Sequence, residues 1–591
     1  MKNNSDTNSF NAFFLGPKSE NGNWLRTEMQ ETLEQWFQWR KDLFPEDGLA
    51  ISKSQRLSVD YLTQREKLSQ NLADLNDRLR DEIPKYTPRY LGHMVSENSI
   101  PAILGHMAAL IHNPNNTSKE AARVTLPIEE EAIAMLAEMV GYNSGEAKGH
   151  FTSGGTVANF ESIWRARFRM DHWISLALYL SEKHGQAFNL LQSAHMGWDR
   201  YFELLAQFSV VEDDTRHYSP VGGNTFLVAS LISKHLGAPY EGPIVLIPGN
   251  KHFSWIKGVN IFGLGESAFW TIPLDDAGKM DCGALEALIE KAKTQNRPIL
   301  MVVSVAGTTE AGSIDPVHKV LDLLDKYKQD HGISIWHHVD AAYGGFICSM
   351  LGKEDGSPLS ADNLKAFHAI SRAHSVTLDP HKLGYIPYSC GAFLCRDKEA
   401  YSVSTFSAPY LDRKDLGSGV WSSTIEGSRS ASGATATWLT GKVIGFGPDG
   451  FGNIINSTFD ATKSFCSYAE KELSFLHLLK PVDSNVVCFS LADDGDTLDL
   501  ANQKTLRVFE KFTESATFSV SKTTLSMDWN DQLINKHVES YNGVKNENEL
   551  ILIRCVFMNP FWSIEDVRTK LRREFIEEIE RYYSKINKKL Y

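Results

Sequence analysis

Between residues 150 and 400 the chain alternates short, nearly continuous apolar runs with longer stretches in which apolar positions recur every three or four residues. The runs at 244–247, 299–305, 333–340, 375–379 and 391–395 have strand length, and runs apolar on successive positions suit strands covered on both faces. Such strands separated by helices predict an α/β domain with a mostly parallel central sheet and functional residues beyond the strand C-termini. The flanks read differently. At 24–44 and 56–80 apolar residues recur at helical spacing among charged ones, which predicts a helical N-terminal segment. Pro127 followed by Glu129, Glu130 and Glu131 predicts a helix that starts near 126 and runs to Gly141. The turn-forming stretch 445–452 predicts a junction. After it come a helix near 456–473, strands near 485–491 and 550–557, and a charged helix over 564–586, a small α+β C-terminal domain. The polar stretch 528–548 reads as a surface loop. The expected division is 1–120 for the helical segment, 121–445 for the large α/β domain and 446–591 for the small domain.

Composition narrows the function classes. At 591 residues the chain exceeds a single core, and 42% hydrophobic with 11% aromatic content suits a globular protein. A net charge of −13 repels phosphate backbones, so nucleic acid is not an expected partner. The seven cysteines, at 282, 348, 390, 395, 466, 488 and 555, include no CxxC pair and sit mostly in apolar runs. They predict reduced thiols and no structural metal. Residues 1–9 have neither the charge nor the apolar run of a secretory or transit signal, and no stretch has the length of a membrane span. A cytoplasmic protein is the default expectation.

The candidate chemistry sits at the ends of the predicted strands. Lys382, in Asp379-Pro-His381-Lys382, follows the run at 375–379. A lysine there is costly unless its amine reacts, and the usual reaction is Schiff-base formation with an aldehyde cofactor. Asp340, in His338-Val-Asp340-Ala-Ala342-Tyr, ends the run at 333–340 and could keep a pyridinium nitrogen protonated, with Ala342 on the same face able to pack on the ring. An amine and an acid so placed are what pyridoxal 5'-phosphate (PLP) requires. The turn Ser153-Gly154-Gly155-Thr156 opens a helical pattern and could cradle a phosphate, although such a turn is equally an ordinary helix cap. His252, after the run at 244–247, could lie flat on the ring, and Thr309, after the run at 299–305, could reach the cofactor.

These five stretches, in this chain order, resemble the group II PLP-dependent amino-acid decarboxylases of the aspartate aminotransferase fold, fold type I. The resemblance covers roughly residues 85–440. Pro88-Arg-Tyr-Leu-Gly-His93, Lys382-Leu-Gly-Tyr-Ile-Pro-Tyr388 and Thr424-Ile-Glu-Gly-Ser-Arg429 are most similar to bacterial tyrosine decarboxylases, with departures at Leu383, Cys390 and Arg429-Ser-Ala-Ser432. The resemblance implies a PLP-dependent decarboxylase of an L-amino acid, tyrosine first, working as a homodimer wrapped by its N-terminal helices. It implies a closing loop around 405–414 that carries Tyr410, with Tyr410 or His381 as proton donor and with His93, Tyr388 and Tyr410 near the substrate side chain. Two alternatives stay open: an acidic substrate, aspartate or glutamate, held by a cation such as Arg429, and an aldehyde-forming outcome in place of the amine.

Overall fold

Seven strands form the central sheet, and their order places the ends of three of them side by side. In the computed structural model, which describes residues 9–352, 357–404, 421–515 and 517–590, the strands are β1 (Lys148–Thr152), β2 (Ile244–Pro248), β3 (Phe269–Ile272), β4 (Ile299–Val305), β5 (Trp336–Asp340), β6 (Ser375–Leu378) and β7 (Gly391–Cys395). Their order across the sheet is β1-β7-β6-β5-β4-β2-β3. The five from β3 to β6 run parallel, whereas β7 is antiparallel to β6 and β1 antiparallel to β7. Register pairs Val305 with Asp340 and Asp340 with Thr377, so β4, β5 and β6 finish at one level.

Both faces of this sheet are covered, which is why β2 and β4 read as nearly unbroken apolar runs. On β2, Val245 and Ile247 pack with Ile163, Met170, Ile174 and Leu178 of the helix Gly155–His184. Ile244 and Leu246, pointing the other way, pack with Leu285 and Ile289 of the helix Cys282–Thr294 and with Val320 and Leu324 of Val317–His331. Each such side chain removed from water stabilises the fold by about 1.5–3 kcal/mol. β1 was not anticipated, because its sequence Lys-Gly-His-Phe-Thr has no apolar run. β3, a half-buried edge strand, was missed as well.

A second sheet, all antiparallel, joins β8 (Leu476–Leu478), β9 (Val486–Leu491), β10 (Ser521–Ser526) and β11 (Glu549–Val556) in the order β10-β11-β9-β8. The helices Phe451–Glu472, Leu498–Ser515 and Glu565–Leu590 pack on it around Phe465, Phe512 and Phe575. The expected loop at 528–548 is corrected here: Met527–Glu539 is a helix, capped where Ser526 accepts from the Asp528 amide. Its buried face is Leu533, Ile534, His537 and Val538, a narrow stripe lost among polar neighbours.

Toward the N-terminus the helices Gly22–Asp42 and Val59–Leu79 bury none of their residues. Leu68, Leu72, Leu75 and Leu79 fall on one face of the second and are at least half exposed. Among the described residues no helix is long and apolar enough to cross a membrane.

Candidate active site

Beyond the aligned ends of β4, β5 and β6 lies a cavity of about 310 Å³. Its walls include Gly155, Thr156, His252, Thr309, Asp340, Ala342, His381 and Lys382. Each arrives by its own turn: Gly155 and Thr156 where the helix Gly155–His184 opens after β1, His252 after β2, Thr309 after β4, Asp340 and Ala342 at the end of β5, and His381 and Lys382 just past β6. The turns fit together through close backbone approach. Gly307 holds a φ of +92°, and a Cβ there would sit 3.0 Å from the Gly344 nitrogen.

Asp340 is 4% exposed and fully engaged by its own chain. Its Oδ2 accepts from Asn159 Nδ2 at 2.8 Å and from the Trp255 indole N–H at 3.0 Å. Asn159 is fixed in turn, since its Oδ1 accepts from the Thr377 hydroxyl at 2.8 Å and its amide also donates to Ser254 Oγ at 3.1 Å. Ser254 Oγ lies 2.8 Å from His252 Nδ1, which also accepts from the Ser254 amide at 3.3 Å, so the ring proton of neutral His252 sits on Nε2. Burial lowers the His252 pKa and Lys382 adds to the shift, while Asp340 and Asp379 oppose it. A neutral imidazole beside a fixed carboxylate is the result.

Lys382 Nζ lies 3.0 Å from Asp379 Oδ2. His381 Nδ1 accepts from the Cys390 amide at 3.2 Å, which leaves Nε2 to carry the proton, 3.6 Å from the same Asp379 oxygen. Burial lowers the His381 pKa and Lys382 adds to that, with Asp379 opposing. Asp379 is 2% exposed, and its Oδ1 has no hydrogen-bond partner among the described residues.

PLP fits this donor set on two observations. The cradle tolerates only glycine, because a Cβ on Gly155 would lie 2.7 Å from Asp379 Oδ2 and 3.1 Å from the Ala342 methyl, so the backbone at the helix N-terminus stays open for a phosphate. Lys382 and Asp340 also line the same cavity, one offering an amine and the other a carboxyl group held in place by two donors.

Not every candidate converges. His93 is exposed and does not line the cavity, its pKa lowered first by burial of the ring and then by Arg554 and Lys85. Tyr388 stands one ring away, its ring tilted by 33° against that of His381 with centroids 4.2 Å apart. Tyr410 lies outside the described residues. Arg429 is committed internally: it pairs with Glu129 and donates to the Phe151 and Asn116 carbonyls at 3.0 and 2.7 Å. Sequence reasoning missed Asn159, Ser254, Trp255 and the acid of Asp379. Only Asn159, one helical turn beyond Gly155, gave a usable signal.

The sequence profile of the pyridoxal-dependent decarboxylase conserved domain matches residues 240–492. Over 98% of this chain and 99% of its own, an L-tyrosine decarboxylase of Enterococcus faecium is 29% identical. A second L-tyrosine decarboxylase, from Levilactobacillus brevis, is 27% identical over 98% of this chain and 97% of its own. Among solved structures, Oryza sativa TDC with PLP and tryptamine superposes with a TM-score of 0.62 at 16% identity, covering 97% of this chain and 99% of that one. That likeness shows the fold: the α/β architecture is fold type I.

Proposed function

Since the chain is a pyridoxal phosphate-dependent amino-acid decarboxylase, we propose that its substrate is L-tyrosine and its products tyramine and CO2. One observation carries the assignment of the site: residues from five separate turns, chosen for this chemistry, line a single cavity. The substrate rests on similarity to L-tyrosine decarboxylases over nearly the whole chain. The pairing of Arg429 with Glu129 disfavours aspartate or glutamate, because the cation such a side chain needs is already taken.

PLP, when bound, supplies an aldehyde for the substrate amine and an electron-poor ring for the electron pair that departing CO2 leaves behind. Lys382 is the amine that holds the cofactor, with Asp379 positioning it. The Gly155 backbone and the Thr156 hydroxyl hold the phosphate at the helix N-terminus, with Thr309 on the cavity wall as a further contact. Asp340, oriented by Asn159 and Trp255, supplies the negative charge that keeps a ring nitrogen protonated. His252 offers a neutral ring face, with Ala342 opposite as an apolar support. His381, with its proton on Nε2, and Tyr410 are the two candidate donors to the substrate Cα. Tyr388 and His93 are proposed for the substrate side chain.

The test offers cofactor-loaded enzyme a panel of aromatic, acidic and basic L-amino acids and quantifies amine, aldehyde and ammonia. Tyramine from tyrosine, without aldehyde, is the expected outcome. A preference for aspartate or glutamate would overturn the substrate, and aldehyde with ammonia would favour the alternative reaction. Lys382→Ala, run alongside, is expected to lose both turnover and the visible absorbance of bound cofactor.

We further propose a cytoplasmic homodimer. The unburied N-terminal helices, with Leu68, Leu72, Leu75 and Leu79 in one exposed row, support packing against a second copy. Light scattering should give twice the chain mass of 66.2 kDa, and a particle of single mass would exclude the dimer.

A further inference from the structure

At the opposite end of the central sheet lies a second cavity, of about 390 Å³. Trp336, the first residue of β5, and His374, just before β6, line it, whereas the PLP cavity lies past the far ends of these strands. It is therefore separate from the decarboxylation site.

Its distinguishing group is Arg169, midway along the helix Gly155–His184 and 2% exposed. The guanidinium carbon lies 4.7 Å from the ring centroid of Trp173 and 5.2 Å from that of Trp336. Indole faces stabilise a cation, but they leave the in-plane N–H donors without acceptors. Arg169 has one hydrogen bond among the described residues, from Nη2 to the Ser334 carbonyl at 3.5 Å, the long limit for such a contact. Its Nε is buried without a partner among the described residues, and so is the indole Nε1 of Trp173. One turn earlier on the same helix, Arg165 also has an Nε unpaired among the described residues, but both of its terminal nitrogens are well bonded, one to the Glu161 carboxylate and the other to the Ser423 carbonyl.

No carboxylate among the described residues takes that part for Arg169. Asp397 is the acid whose field reaches it. The Asp397 carboxylate, however, caps the following helix by accepting from the Ala400 amide at 2.7 Å and lies 3.6 Å from Arg396 Nη2. Burial accordingly pulls the Arg169 pKa down to about 9, only partly opposed by Asp397, which still leaves it charged at neutral pH. A buried charge with unused donors is costly unless something completes its coordination. Lys328 and Arg396 line the same space and add to its attraction for anions, while Asp199 and Glu399 on the wall disfavour an extended polyanion.

We propose that this cavity binds a small oxyanion, a carboxylate or a phosphate group, between the Arg169 guanidinium and the Trp173 indole N–H. The experiment uses holoenzyme saturated with PLP, so that the phosphate cradle of the active site is already filled. Inorganic phosphate and acetate are titrated separately at constant ionic strength against chloride, with calorimetry and tryptophan fluorescence as readouts. Saturable binding of at least one anion is expected, and whichever arm binds identifies the head group. Arg169→Gln should weaken it by about tenfold or more, the effect of losing charge-assisted hydrogen bonds. Absence of saturable binding by both anions, or binding that survives Arg169→Gln, overturns the proposal. Should that variant not fold, Trp173→Phe decides: it keeps the ring, deletes the N–H and is expected to weaken binding several-fold, and an unchanged affinity overturns the site.

Discussion

Asp340 and Arg169 are two buried charges at opposite ends of one sheet, and the fold treats them in opposite ways. Asp340 meets two strong donors on one oxygen and the Ala342 amide at 3.4 Å on the other, all from its own chain. Among the described residues Arg169 has one long hydrogen bond and an unused Nε. A charge that must act on a bound ring has to be held still before the ring arrives, and donors fixed by Thr377 and Ser254 do that at the end of β5. A charge left short of acceptors is instead completed by what enters from solvent.

Asp340→Asn should show the largest effect. Without the carboxylate charge, turnover is expected to fall by about 10²–10³, the scale for removing a preorganised electrostatic partner. The amide oxygen can take the place of Oδ2 and accept from both Asn159 and Trp255, but the amide nitrogen then faces the Ala342 N–H as donor against donor, so stability should also fall, by about 1–3 kcal/mol. Arg169→Gln in buffer free of phosphate and carboxylate should behave oppositely and stay within about 1 kcal/mol of the parent, because it deletes a charge with little to lose. Thermal denaturation of both variants in one buffer measures the contrast. If Arg169→Gln proved the more damaging, Arg169 would be a satisfied structural residue and the distinction would fail.

What could be read in advance follows the same division between local and distant partners. β4 was legible because burial on both faces leaves a nearly unbroken apolar run, whereas β5 and β6 carry His337, His338, Ser375 and Thr377 among their apolar residues; Asp340 was legible as the acid that ends β5 and Lys382 as the amine just past β6. β10 was not, since its inward positions include Ser521 and Thr523, and alternation of polar with polar carries no signal. The orienting shell around Asp340 was beyond reach because Asn159 and Trp255 come from 181 and 85 residues away, and only the folded sheet brings them to one oxygen. Arg169 was hidden for the same reason: it looks like an ordinary charged position on a helix until Trp336 closes over it.

A last effect, absent at neutral pH and seen only on acidification, concerns His195, which shares the Ser334 carbonyl with Arg169. Its Nδ1 lies 3.1 Å from that carbonyl and its Nε2 accepts from the Ile299 amide at 3.1 Å, so the fold uses the neutral ring as both donor and acceptor to pin the start of β4. Burial lowers its pKa to about 4, with the Ser334 hydrogen bond opposing and Arg169 reinforcing the shift. The unfolded chain binds a proton on this ring near pH 6.5 and the folded one only near pH 4, so between those values unfolding takes up a proton and stability rises with pH. The contribution of His195 is therefore complete above about pH 6.5 and declines as pH falls toward 4, by about 1.4 kcal/mol per pH unit. His195→Asn keeps a donor and an acceptor without titrating, so the difference in stability between parent and variant should shrink across that window. A difference that held constant from pH 7 to 4.5 would mean that the folded ring takes up its proton at the same pH as the unfolded one, and the end of the sheet carrying Arg169 would then hold a second cation below about pH 6.5.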